Sequence, residues 1–105
     1  MSKASYIANL LMSNQSVSNY KEAGNSMLPL IKSNQPVDLE AVTECTELKV
    51  NDIVFCKVKG NYYTHLISKI KGSGKNTRYQ ISNNHGYVNG WIPRNKIYGK
   101  VVKIH

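Results

Sequence analysis

The sequence predicts a mostly-β protein, a small coiled antiparallel sheet preceded by one short helix, and three observations lead there. Helical periodicity is confined to the start of the chain, where Tyr6, Ile7, Leu10 and Leu11 recur at the spacing of one helix face. From residue 36 onward the apolar residues fall instead in short runs separated by Gly, Asn and Asp, the punctuation of hairpins. The length of 105 residues, 41% of them apolar, leaves room for one core and one ordinary domain.

The elements follow in order. Residues from about Lys3 to Met12 read as the helix, which Ser13-Asn14-Gln15 ends. The polar run through Asn19 reads as a linker, so residues 1–19 form a helix and linker ahead of a β unit over residues 20–105. Tyr20 to Ala23 leads in extended form to a turn at Gly24-Asn25-Ser26, and Pro29 confines any helix starting at Ser26 to its first turn. Pro36 to Val42 alternates weakly. Ile53 to Val58 is the strongest strand, entered from a turn at Asn51-Asp52. Lys59-Gly60-Asn61 reads as a hairpin turn into Tyr62 to Ile70, and Gly72 to Asn76 as a second loop, into Arg78 to Ser82. Asn83-Asn84-His85-Gly86 is a tight turn with Gly86 at positive φ, and Ile97 to Ile104 is the closing strand.

Charge is distributed unevenly around a net +8. All six acids lie before Ile53, whereas ten of the fourteen Lys and Arg residues lie after it. Cys45 and Cys56 match neither a paired metal-ligand spacing nor a disulfide scaffold, and read as buried thiols in a reducing compartment. No metal or cofactor site is expected. The apolar stretch from Tyr6 to Met12 is too short and lacks the cationic flank of a secretion signal, and no segment is apolar enough to span a bilayer. The expectation is a soluble, cytoplasmic protein. Abundant Asn, Lys and Tyr suit an AT-rich phage or bacterial gene.

Ser26-Met27-Leu28-Pro29, led by Gly24, resembles the Ser-Met-x-Pro signature of the type I signal peptidase and self-cleaving repressor superfamily. Three further boxes follow in the same order. Lys49-Val50-Asn51-Asp52-Ile53-Val54 is similar to its Val-Gly-Asp-Ile-Val segment, and Tyr63-Thr64-His65-Leu66-Ile67 falls where the histidine-using branch keeps its base. Ile97-Tyr98-Gly99-Lys100-Val101-Val102 resembles the closing Ile-x-Gly-Lys-Val strand. The resemblance implies a signal-peptidase-like β fold, Ser26 as nucleophile and His65 as general base, and cleavage of an extended peptide after small side chains. The chemistry suits these residues, because a serine hydroxyl must pass its proton to a neighbour and a neutral imidazole accepts one near pH 7. Gly24, Asn25 and Met27 would line the substrate groove, with the Ser26 amide as oxyanion donor.

Two boxes depart from that pattern. The Gly-Asp-x-Asn segment, whose aspartate orients the imidazole, reads here Ser82-Asn83-Asn84-His85-Gly86, and Gly-Asp after the serine box reads Ser33-Asn34. No acid follows Asp52, so the third member of a triad would be Asn84, which can hold a ring tautomer, or an acid from the first half such as Asp52 or Asp38. Residue by residue, plainer readings stand beside these. Ser26 could cap a short helical turn, and His65 could be a strand histidine packed against Tyr63 or Phe55.

The acid-free second half has its own two readings. Lys57, Lys69, Lys71, Arg78, Trp91, Arg94 and Lys96 combine cations with aromatic faces as single-strand nucleic-acid binders do. Alternating strands also place lysines on the wet face and tyrosines at the core edge with no ligand implied. The sequence therefore reads as a signal-peptidase-like serine endopeptidase domain with weak or lost activity. The alternative is a non-catalytic module of the same fold that binds nucleic acid or an extended peptide. Oligomeric state is not encoded in any of these features.

Overall fold

A computed structural model describes residues 2–105; Met1, the first residue of the expected N-terminal segment, lies outside them. Helix α1 spans Lys3–Met12. It starts at Ser2, whose hydroxyl accepts the Ser5 amide at 3.1 Å and so satisfies one of the free N–H groups of the first turn. It stops at Asn14, which adopts a left-handed φ of 62°. The amides of Asn14 and Gln15 then close back on the carbonyls of Leu11 and Leu10, each at 3.0 Å, in a Schellman arrangement.

Seven strands follow: β1 (Val17–Tyr20), β2 (Val37–Ala41), β3 (Ile53–Val58), β4 (Asn61–Lys71), β5 (Arg78–Ser82), β6 (Val88–Pro93) and β7 (Ile97–Ile104). They form one open antiparallel sheet in the order β1-β2-β7-β3-β4-β5-β6. The β3–β4 hairpin turns on Lys59 and Gly60 at φ 50° and 84°, the twin positive values of a two-residue turn that matches strand twist. Five of the six strand pairings contain a register shift, and such bulges bend and twist the strands that carry them.

Each sheet face buries its own apolar cluster. On one, Ile7, Ala8 and Leu11 of α1 pack with Leu39 and Phe55. Gly99 permits this approach, since a Cβ there would stand only 2.9 Å from Leu11 Cδ1. On the other, Val54, Cys56 and Val58 meet Ile67, Ile81 and Ile92. Adjacent residues of β3 thus point to opposite cores, which is why its apolar run is nearly continuous.

Three expectations are corrected. The stretch expected as linker contains β1, a mostly exposed edge strand whose polar sequence Val-Ser-Asn-Tyr carries no apolar alternation. Strand β6 had no counterpart in the sequence reading. Gly90 interrupts its pattern because the backbone there runs against Val58, and Pro93 is tolerated because β6 is a sheet edge. Cys56 is buried as expected, and burial pushes its thiol up to about 12, but Cys45 is exposed in the loop between β2 and β3.

Candidate active site

Ser26 opens a pair of tight turns between β1 and β2, in which the Leu28 amide donates to Asn25 O and the Leu30 amide to Met27 O. No helix forms there, so the capping role has nothing to cap. The Ser26 hydroxyl lies instead 3.0 Å from Nε2 of His65, at the middle of β4. The other ring nitrogen, Nδ1, is 2.7 Å from Asn89 Oδ1 on β6. With the asparagine oxygen accepting, Nδ1 carries the proton and Nε2 presents its lone pair to the serine. Tyr63 stacks on the imidazole at 4.7 Å, so the packing partner foreseen for a plain strand histidine exists alongside the serine contact.

Burial lowers the His65 pKa below its ordinary 6.5, with the Asn89 contact opposing in part, so the ring is neutral near pH 7. The proton-accepting form is the resting form.

Neither expected orienting residue meets the imidazole. Asn84 holds the serine turn instead: its amide donates to Ser26 O at 2.9 Å and its side-chain NH2 to Leu28 O at 2.8 Å. His85 adds a third tie, with Nε2 3.0 Å from Asn25 O. Asp52 accepts the Lys49 amide at 2.8 Å and pairs with Lys100 at 3.3 Å, anchoring the entrance to β3. Asp38 is engaged with the Asn19 amide and His105. The residue that meets the imidazole is instead Asn89, five places beyond Asn84. The available signal was that of an asparagine on a strand, and without β6 it could not be placed.

A groove of about 310 Å³ opens beside the pair, lined by Gly24, Ser26, Met27 and His65 among others. Gly24 sits at φ 127° with open space where a side chain would project, a backbone position that favours glycine. Met27 is a buried wall, while Asn25 is exposed and uses its carbonyl within the turn. One side of the groove is the Asn61–His65 half of β4, which pairs with β3 but, among the described residues, with no strand on its other edge, because β5 joins only from Leu66.

The chain matches no known protein family and no curated protein. Among the described residues there is no cluster of His, Cys, Asp or Glu suited to a metal ion, and no helix long and apolar enough to cross a membrane.

The basic residues are split up by the fold. Lys69 aligns with Gln80 and Trp91 across β4, β5 and β6, and Lys71 with Arg78, so these side chains share one face. Lys71 Nζ stands 4.3 Å over the Trp91 ring. Lys57 is elsewhere, over Tyr62 at 5.2 Å. Arg94 binds the carbonyls of Thr43 and Thr46, pinning the β2–β3 loop, and Lys96 is exposed in the short 3-10 turn beside it. The tyrosines are mostly internal: Tyr20, Tyr62 and Tyr98 all pack on Phe55, and Tyr79 is buried.

Proposed function

We propose that the protein is a serine endopeptidase of the signal-peptidase-like type, working through Ser26, His65 and Asn89 on an extended peptide. The observation that carries the reading is the chain of contacts Ser26 Oγ to His65 Nε2 at 3.0 Å and His65 Nδ1 to Asn89 Oδ1 at 2.7 Å. Residues 39 positions apart in sequence meet in the geometry that general-base activation of a hydroxyl requires. A peptide laid along the unpaired edge of β4 would gain main-chain hydrogen bonds as an added strand and bring a carbonyl to Ser26.

The reaction is then conventional in its bookkeeping. Ser26 Oγ attacks the carbonyl carbon while its proton moves to His65 Nε2. The resulting oxyanion faces the Ser26 amide, which makes no backbone hydrogen bond within its own turn. His65 returns the proton to the leaving amine, and the Ser26 ester is hydrolysed by water activated on the same nitrogen. Asn89 keeps the tautomer but brings no negative charge to the imidazolium, so turnover is slow by the standard of a carboxylate triad. An organophosphonate probe should label the native chain slowly and at one site. Labelling is expected to vanish in Ser26→Ala and to fall to background in His65→Ala; labelling that survives Ser26→Ala would overturn the assignment.

A second reading has a specific observation behind it: Lys69, Lys71, Arg78 and Trp91 share one face, with Lys71 stacked on the indole. Single-stranded nucleic acid held there would show a log-log salt slope of about −2 for three neutralised phosphates. Replacing Lys69 and Lys71 by alanine should flatten that slope, and absence of binding at low salt removes the reading.

A further inference from the structure

Among the described residues, Glu22 is the one acid that lines the groove and no cation lies within ion-pair distance of its carboxylate; Lys3 acts on it only at longer range. The group is half-buried and directed inward, where it raises the pKa values of the buried Tyr20 hydroxyl and Cys56 thiol, though burial is the larger cause for both. Beside it is Thr64 Oγ1, the buried side-chain oxygen that finds no partner in hydrogen-bonding geometry among the described residues, although the hydroxyl stands near enough to stabilise the Glu22 carboxylate in part. Burial outweighs the help Glu22 receives from Thr64 and Lys3, and an acid left under-compensated in a cavity is costly unless something else completes it.

The walls define what that something is. Tyr20, Met27, Ile31, Val37 and Tyr62 enclose the space with apolar surface, and Glu22 and Thr64 supply acceptors within it. An aliphatic stem ending in a cation satisfies both, burying its methylenes and delivering its donors to the acid. We infer that the Glu22–Thr64 pocket selects a lysine or arginine side chain of the peptide held in the Ser26–His65 groove. The inference rests on the peptide-groove reading and names the substrate class of that site. A carboxylate set in the side-chain pocket is one way in which a serine peptidase selects cations. Lys32 also lines the groove, and it disfavours a second cation at the rim while leaving the inner acid available.

The test uses the full chain carrying Ser26→Ala, which holds peptide without cleaving it, and a set of capped alanine-based hexapeptides. Each carries lysine, arginine, norleucine or glutamate at one position in turn. Binding is read by fluorescence anisotropy. At one position lysine should bind about tenfold more tightly than norleucine, the scale of one charge-assisted hydrogen bond. The added substitution Glu22→Gln should reduce that ratio to about two or less. Glu22→Lys should reverse it in favour of glutamate. Equal binding of lysine and norleucine at every position overturns the inference, and this comparison needs no Glu22 variant to fold. A lysine preference untouched by Glu22→Gln overturns it as well. Organophosphonate labelling of the native chain separates the failures: labelling without lysine preference refutes only the pocket, whereas neither labelling nor peptide binding refutes the groove reading with it.

Discussion

Replacing Asn89 by aspartate puts a negative charge where the structure has only a carbonyl dipole, 2.7 Å from His65 Nδ1. In the resting state that charge faces a neutral ring, and in the transition state it faces an imidazolium. With charge centres about 4–5 Å apart and an effective dielectric near 20, the attraction gained on protonation is about 4 kcal/mol before other costs. Desolvating a half-buried carboxylate offsets part of it, leaving roughly 1.5–3 kcal/mol, or a labelling rate about 10- to 100-fold above native. The rate constant for organophosphonate labelling, measured from pH 5 to 9, tests this directly. The native rate should decline as pH falls through the lowered pKa of His65, below 6.5, because only the neutral ring accepts the serine proton. Asn89→Asp should move that decline to higher pH, since the carboxylate favours the protonated ring. In a His65→Ala background the same substitution should change nothing, because its whole effect passes through the imidazole. A folded Asn89→Asp protein that labels no faster than native at pH 8, or gains equally without His65, would refute the role given to Asn89.

Asn84→Asp, in contrast, should slow labelling by about tenfold, because it replaces the NH2 donor to Leu28 O with a second acceptor and loosens the serine turn; a rate increase would mean Asn84 reaches the imidazole after all. Glu22→Gln should stabilise the fold at neutral pH by on the order of 1 kcal/mol. Burial raises the Glu22 pKa above 4.5, so the stability lost as pH rises through the folded value is recovered by the amide. Thermal melts of native and Glu22→Gln chains should therefore converge below about pH 4.5, and a gap that persists there would contradict the burial argument. Leu11, 1% exposed and seated over Gly99, is the tie between helix and sheet. Leu11→Ala should cost about 3 kcal/mol in urea denaturation, and a loss under 1 kcal/mol would show that α1 is not integral to the core.

Much of the architecture could be read locally, because hairpins and short helices are specified by neighbours in sequence. The helix from Lys3 to Met12, the Lys59-Gly60 turn and the β3, β4, β5 and β7 segments all carry their own periodicity or turn chemistry. The strands that were missed, β1 and β6, are the two edges of the sheet, short, half-wet and broken by Asn19 or Gly90. Their conformation comes from pairing with β2 and β5 rather than from any preference of their own. The site divides in the same way. Ser26 and His65 belong to ordered motifs and were nameable one by one, whereas their approach to 3.0 Å depends on how the β1–β2 connection crosses β4. Asn89 and Glu22 belong to no motif, and Thr64 lies in the His65 box with no role of its own implied there. What distinguishes them is their surroundings, and those are a property of the assembled fold: an imidazole nitrogen reached across the sheet, a carboxylate set in a groove without an ion-pair partner among the described residues, a buried hydroxyl beside that acid. Local sequence determines which backbone each segment prefers. Which polar atoms are left facing one another in low dielectric is decided only when segments far apart in the chain pack together.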